Sequence, residues 1–354
     1  MDVTICAKRQ FAWSEKPDDL MMPSPPQPPF FDRTRGTWVL SRYRDVVEAL
    51  RDPKLLPAGA GTTGGTETSQ LTIAEIRAST FAALASLQFS EWRPKFELLA
   101  HTNVMALPSD RPVDLISEFA EPWCTELAFA ITGGARALHR KRLVELARRV
   151  SACAADPEDR DLKSAALVAE SELKQSFPAP RIPAPDTVFV AVAQTLPGFL
   201  ANAWLALFRH PSELSRVQAN PELMPAAIEE LLRYAGLARK VVRIAKAARV
   251  LGGSSIAAGQ RLTLALNSAN RDPEQFVEPN RLDLTRRAVG HLALGEGPHA
   301  CVGAALIRMA SIAATSAFVQ KFYTAAVCEP IEWRGGSGFR APAVLLARIR
   351  QPAA

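Results

Sequence analysis

The chain has 354 residues, 48% apolar and 22% charged, with a formal net charge of +6. These are the proportions of a soluble globular protein. With no zinc-finger spacing, RNP motif or Lys/Arg-rich run, nucleic acid is not an expected partner, and the scattered positive surplus favours an acidic protein instead. The length permits two domains but equally one large core that encloses a cofactor. It leaves no room for a fused flavin or iron–sulfur reductase.

The segment from Met1 to Asp19 has no long apolar run and no cleavage site, so no signal peptide or anchor is expected and the cytoplasm is the expected location. Five cysteines (Cys6, Cys124, Cys153, Cys301 and Cys328) without CxxC spacing fit a reducing compartment rather than a disulfide framework. Residues 1–35 are Pro-rich and read as irregular. Thr37 to Ser41 reads as a short strand, and Tyr43 to Arg51 as a helix stopped by Asp52-Pro53. Residues 55–70, rich in Gly and Thr, read as a mobile loop; 72–176 reads as largely helical. The proline-spaced stretch from Pro178 to Pro185 is a stiff linker.

Val188 to Phe208 is apolar almost throughout, interrupted by Gln194, Thr195, Pro197, Gly198 and Asn202. Its length would span a membrane. The polar residues in mid-segment and the helix-distorting proline favour the central helix of a soluble core, with no membrane span. Pro225 opens a helix that runs to Ala235. Strands are expected at Val241–Ile244, Arg249–Leu251 and Arg261–Leu266, then an irregular connection over 267–290, then a glycine-rich turn and a helix to about Phe322. Helices first and small strands late predict a mainly α (α+β) protein, organised as a single domain over 1–354.

The glycine-rich turn is the most informative segment. Leu294 to Gly303 sets Cys301 directly before the apolar helix that begins at Ala304. Free N–H groups and the helix dipole at such a position favour a thiolate, and haem is the cofactor for which one cysteine ligand is enough. Read alone, the segment fits a structural turn as well as a haem ligand, since free cysteine is often inert packing and glycines at a helix start also cradle phosphates.

The segment resembles the haem-binding signature of the cytochrome P450 family, the haem-thiolate monooxygenases: Phe-Gly-x-Gly-x-His/Arg-x-Cys-x-Gly. Gly295, Gly297, His299, Cys301 and Gly303 match, while Leu294 stands in place of the phenylalanine. The resemblance implies a P450-like fold: a central distal helix over 188–208, a Glu-x-x-Arg helix over 225–235, and a ligand loop with proximal helix over 294–322. It implies haem b with Cys301 as the metal ligand.

Further expectations come with the resemblance. Glu230 and Arg233 lie opposite the apolar face of their helix (Ile228, Leu231, Leu232, Ala235), which alone reads as an exposed pair. The family buries such a pair with a third arginine, for which Arg281 occupies the matching place. Arg243 and His299 would reach the haem propionates, a guanidinium being suited to a carboxylate. A His and an Arg four residues apart on an early helix are unmatched; Lys95 is the stand-in and Arg93 the alternative. The family's Ala-Gly-x-Asp/Glu-Thr-Thr segment corresponds to Ala191–Leu196. Thr195 supplies the alcohol, Gln194 replaces the acid and Val192 the glycine. Thr195 would hold water or oxygen by hydrogen bonding, and Gln194, unable to titrate, would slow or reroute proton delivery.

Leu237, Ala238, Val241 and Val242 would face substrate or simply pack the core. The chain is shorter than most relatives between about 130 and 186, which suggests an open pocket or a substrate presented by another protein. The implied function is a monooxygenase that uses O2 to oxidise an apolar small molecule with electrons from a separate acidic ferredoxin and its reductase. Because of Gln194, peroxide-driven or other chemistry and a non-catalytic haem- or partner-binding role stand as alternatives.

Overall fold

The computed structural model of the protein describes residues 25–58, 73–87, 89–133, 140–156, 159–177, 180–322, 324–336 and 338–350. In chain order the elements are β1 (Phe30–Asp32), β2 (Thr37–Leu40), α1 (Tyr43–Arg51), β3 (Leu55–Pro57), α2 (Ile73–Ser86), α3 (Phe89–Met105), β4 (Val113–Asp114), α4 (Glu121–Thr132), α5 (Arg140–Ala155), α6 (Arg160–Gln175), α7 (Pro185–Val190), α8 (Leu196–Arg209), α9 (Pro211–Ala219), α10 (Met224–Ala235), β5 (Val241–Ala245), β6 (Arg249–Leu251), β7 (Ser254–Ile256), β8 (Arg261–Leu264), α11 (Leu266–Ala269), α12 (Ala304–Lys321), β9 (Thr324–Val327), β10 (Trp333–Gly335), β11 (Arg340–Pro342) and β12 (Leu346–Arg350). The mainly α (α+β) expectation agrees with this order.

The apolar run becomes the axis of the molecule. Every residue from Leu196 to Phe208 is buried, as a helix that is hydrophobic all round requires. Pro185–Arg209 is long and apolar enough to cross a membrane, yet 78% of its apolar window is buried inside the fold. Trp204 stacks on Phe119 at 5.3 Å and on Phe318 of α12 at 5.6 Å between ring centroids, and its Nε1 donates to Thr315 Oγ1 at 3.2 Å. Truncating a side chain so enclosed costs about 3–5 kcal/mol. It is this contact that fixes α8 against the helix following Cys301.

Between α7 and α8 the helix widens to a π turn over Ala191–Thr195, with the Leu196 N–H bonded to the Ala191 carbonyl. Pro197 is the local cause: it has no N–H to give to the Ala193 carbonyl, so the regular ladder cannot continue through it.

The strands form a sheet in the order β1-β2-β8-β5-β3, a second in the order β4-β12-β9, and the hairpins β6-β7 and β10-β11. β2 and β8 run parallel. β5 lies between β8 and β3, with Arg243 opposite Leu262 on one side and Pro57 on the other. Asp272 caps α1 from far along the chain, accepting from the Tyr43 N–H at 2.7 Å.

Several boundaries move. β1 forms inside the stretch expected to be irregular, and β3 inside the expected loop, whose residues 59–70 lie outside the described residues. The strand expected to reach Leu266 ends at Leu264, where the chain turns into α11. Pro225 is the second rather than the first residue of α10. Two residues of the proline-spaced linker, 178 and 179, also lie outside the described residues.

Candidate active site

Cys301 leaves the end of a short 3-10 turn, Gly297–His299, and precedes α12. Its N–H donates to the Leu294 carbonyl at 2.8 Å, which closes the loop on itself. Gly297 has φ +71°, and a Cβ there would lie 2.6 Å from the Leu50 carbonyl oxygen of α1, so only glycine fits this turn against that helix. Arg51, one residue on, binds Glu296 through Nε at 2.9 Å. Burial pushes the Cys301 thiol up; the Gly303 N–H, Arg77 and Arg308 pull the other way and lose. The helix start therefore does not by itself make the thiolate expected from the sequence. Coordination to a cation would, since a ligating thiol is deprotonated by the metal.

Three basic side chains meet beside this loop. Arg77 of α2 donates through Nη2 to the Ala300 carbonyl at 2.6 Å. Arg243 of β5 is 6% exposed; its Nη1 reaches the Val242 carbonyl at 3.1 Å, and its Nε has no partner. Burial, then the charge of Arg77, lowers its pKa. His299 is half-buried, and its pKa is lowered by burial, then by Arg243 and Arg77. Among the described residues no carboxylate offsets the three. A cationic cluster with one member buried and two half-buried is costly without an anion.

Lys95 does not join them. It lies on the exposed side of α3 with its ammonium 5.3 Å from the Trp92 ring centroid. Arg93 is also exposed and pairs with Glu97 at 2.8 Å. The early-helix cation that lies at the loop is Arg77, one helix before the one expected. No spacing rule singles out Arg77 in the sequence; its place beside Ala300 depends on α2 lying across the loop.

Glu230 and Arg233 are fully buried as side chains and joined at 2.7 Å, against the helical-wheel reading and in line with the resemblance. The third arginine is Arg286, not Arg281: Arg286 Nε donates to Glu230 Oε1 at 3.1 Å. The Arg281 side chain is 60% exposed and pairs with Glu278. What Arg281 contributes is its carbonyl, which accepts from Arg233 and Arg286. Arg233 Nη1 also satisfies the carbonyls of Asn270 and Pro279, each at 2.8 Å. The network thus ties α10 to the irregular segment before the Cys301 loop.

A neighbouring network grips the loop and its helix. Arg308 of α12 binds Glu229 of α10 through Nε at 2.6 Å and Nη2 at 3.0 Å. His291, buried just before the loop, accepts the Ala293 N–H at Nδ1 and donates from Nε2 to Glu229 at 3.2 Å. This tautomer follows from the bonds it makes.

On the other side, Gln194 and Thr195 line a cavity of about 590 Å³. The π turn and the proline after it set both side chains on its wall. Leu237, Phe339, Ala341 and Gly198 add apolar surface, and residues of α5 and the β10-β11 hairpin complete it together with Leu162 and two aspartates, Asp156 and Asp159. A Cβ on Gly198 would lie 3.0 Å from Leu237 Cδ1, so glycine allows Leu237 to approach. Of the four candidates for substrate contact only Leu237 lines this cavity. Ala238 and Val241 pack against a separate hydrophobic cluster under the five-stranded sheet that holds Leu264 and Leu266, and Val242 pairs with Thr263 in the sheet. The hairpin supplies Phe339 and Ala341, which sequence reasoning missed because no pattern before folding links the C-terminal strands to Thr195. The hairpin loop touches the end of α5, where the Gly338 N–H donates to the Ala155 carbonyl at 3.1 Å.

The cytochrome P450 family model matches residues 215–329, which include α10 and the Cys301 loop. Cytochrome P450-SU2 of Streptomyces griseolus is 30% identical over 314 residues, covering 77% of this chain and 77% of that protein. Cytochrome P450 107B1 of Saccharopolyspora erythraea is 28% identical over 347 residues, covering 84% of this chain and 85% of its own. In structure, P450 RauA complexed with a biosynthetic intermediate of aurachin RE superposes with a TM-score of 0.80 at 22% identity, covering 96% of this chain and 98% of that one. The LnmA cytochrome P450 hydroxylase of Streptomyces atroolivaceus superposes with a TM-score of 0.73 at 26% identity, covering 88% and 90%. A cysteine loop of this sequence, on this fold, in a chain alike over most of its length to such bacterial proteins, makes it a member of the cytochrome P450 family, the haem-dependent monooxygenases.

Proposed function

We propose that the chain is a haem b monooxygenase that inserts one oxygen atom from O2 into an apolar small molecule, with Cys301 as the iron ligand. The observation that carries this reading is the unbalanced cluster of Arg77, Arg243 and His299 beside the Cys301 loop. The residues fit the group: haem brings two propionates, and Arg243 has an unpartnered buried Nε where a carboxylate oxygen would be bound.

Haem bound here supplies a redox-active iron at which O2 is activated, with thiolate donation favouring O–O cleavage. The protein's own part is positional and protonic. Arg77, Arg243 and His299 neutralise the propionates. Thr195 offers a hydroxyl that both donates and accepts, and so can hold a water in the cavity. Gln194 can orient that water but cannot give up or take a proton. Leu237, Phe339 and Ala341 hold an apolar substrate by shape. Electrons come from a separate acidic ferredoxin-type donor and its reductase, a reading supported by the net charge of +6, and the reaction runs in the cytoplasm.

Gln194 also favours a second reading within the same enzyme class. With an amide rather than an acid next to Thr195, hydrogen peroxide, which brings its own two protons, would be the simpler oxidant.

The test is the carbon monoxide difference spectrum of the reduced holoprotein. A strongly red-shifted band that disappears in Cys301→Ser is expected. A protein that binds no haem, or a spectrum unaltered by that substitution, overturns the reading. Product formed with a generic ferredoxin system, against product formed with peroxide alone, separates the two chemistries.

A further inference from the structure

The β10-β11 hairpin is a partition. On one side is the cavity beside Thr195; on the other is a second chamber of about 350 Å³. Trp333, Gly335 and Arg340 line both, and the Arg340 guanidinium lies over the Trp333 ring at 5.3 Å. The two chambers differ in charge. The first sets Leu237, Phe339 and Ala341 beside two arginines and two aspartates of its own, Arg148, Arg334, Asp156 and Asp159. The floor of the second is polar: Thr37 of β2 and Thr263 of β8 share a hydrogen bond of 3.2 Å across the parallel pair.

The second chamber is also basic. Arg239, Lys240, Arg340 and Arg35 line it, and among the described residues that do so Asp32 is the only acid. Asp32 is committed to its own turn, accepting from the Thr34 and Arg35 N–H groups and from Arg35 Nη1 at 3.0 Å. Arg239 is held in place from both sides. Its N–H donates to the Gly338 carbonyl at 2.9 Å and its carbonyl accepts from the Asn267 N–H at 3.2 Å. Arg239, Lys240 and Arg340 are all half-buried, where a charge is worth more than at the surface.

We propose that this chamber binds the oxyanion end group, a carboxylate or a phosphate, of a substrate whose apolar body lies in the cavity beside Thr195. The proposal deepens the reading of that cavity as the substrate site and rests on it. It names the substrate class as amphipathic and anionic. The guanidinium of Arg239 and the ammonium of Lys240 bind the anion, and the Trp333 edge of the hairpin lies between head and body.

The test is calorimetric titration of the holoprotein with decanoate, decyl phosphate and 1-decanol, which differ only in the end group. Decanoate or decyl phosphate is expected to bind about tenfold more tightly than 1-decanol, and whichever anion is preferred identifies the group. The preference should shrink as ionic strength rises. In Arg239→Gln/Lys240→Gln it should fall to within about twofold with 1-decanol affinity unchanged, while Arg239→Lys/Lys240→Arg should retain it. Equal binding of the three ligands overturns the proposal, as does a preference that survives the double glutamine variant. Because heat is read rather than haem absorbance, absence of the red-shifted carbon monoxide band would sink the monooxygenase reading while the end-group preference is still measured.

Discussion

Arg77 and Ala300, 223 residues apart in sequence, are joined by a hydrogen bond of 2.6 Å from a guanidinium to a carbonyl one residue before Cys301. That bond pins the aim of the arginine, and its remaining N–H groups are left for an anion. It also places a fixed positive charge close enough to the sulfur to pull its pKa down against burial.

Arg77→Leu is therefore expected to weaken haem binding about tenfold, from the loss of one charge-assisted interaction. Titration of haem into the apoprotein, followed by absorbance, measures it. Lys95→Gln, which alters only an exposed helix face, should leave the affinity unchanged. The opposite ranking would return the early-helix role to α3.

Gly297→Ala should damage the ligand loop. The new methyl meets the Leu50 carbonyl oxygen at 2.6 Å and the backbone must keep φ near +71°, a conformation that costs a non-glycine residue about 1–3 kcal/mol. Lower thermal stability of the apoprotein together with incomplete haem loading is expected. A fully loaded protein of unaltered stability would show that α1 and the loop move apart freely.

The parts of the fold set by local chemistry were legible in the sequence. The apolar run around Trp204 announced a buried helix, Asp52-Pro53 marked the end of α1 within a residue, and the Cys301 turn declared itself through its glycines. What could not be read was distance. Arg77 and Arg286 act through segments that arrive from elsewhere in the chain, and nothing in their local spacing separates them from Lys95 and Arg281. The helical wheel misjudged Glu230 and Arg233 for the same reason: it assumes that the polar face meets water, whereas here the polar face meets the orphan carbonyls of Asn270 and Pro279.

Arg286→Ala should cost about 2 kcal/mol, because it strips a buried carboxylate of one charged donor. Arg281→Ala should cost no more than about 0.5 kcal/mol, since only an exposed pair with Glu278 is lost. Urea unfolding of both variants decides between them, and equal losses would mean that the side chain of Arg281 has a part in the network.

Glu229 gives the protein an acid limb. Burial pushes its carboxyl up, but the hydrogen bonds from His291 and Arg308 outweigh this and bring it to about 2, from an ordinary value of 4.5. A carboxylate depressed in the folded state adds stability that is present above pH 4.5 and is lost as pH falls towards 2. The group is only half-buried, so solvent screening reduces its share. Glu229→Gln should lower stability at neutral pH and flatten its decline through that window, as followed by urea midpoints at stepped pH. A decline as steep as in the parent protein would assign acid sensitivity to other carboxylates.

Gln194 is the residue where sequence and mechanism meet most directly. It sits on the cavity wall next to Thr195, at the one place where the family carries an acid. An amide there can orient water but cannot exchange a proton with it, and the carboxylates on this cavity, Asp156 and Asp159, come from the end of α5 and the start of α6 rather than from beside Thr195. Gln194→Glu keeps the side-chain length and adds the missing titratable group on a partly exposed wall, where a carboxylate can ionise without a large burial penalty. The fraction of consumed reductant recovered as oxidised product should rise in this variant and fall in Thr195→Val, which removes the hydroxyl but keeps the shape. If the glutamate leaves that fraction unchanged or lowers it while the valine still lowers it, proton delivery needs Thr195 but no acid at position 194, and the glutamine is a working part of this site rather than a deficit.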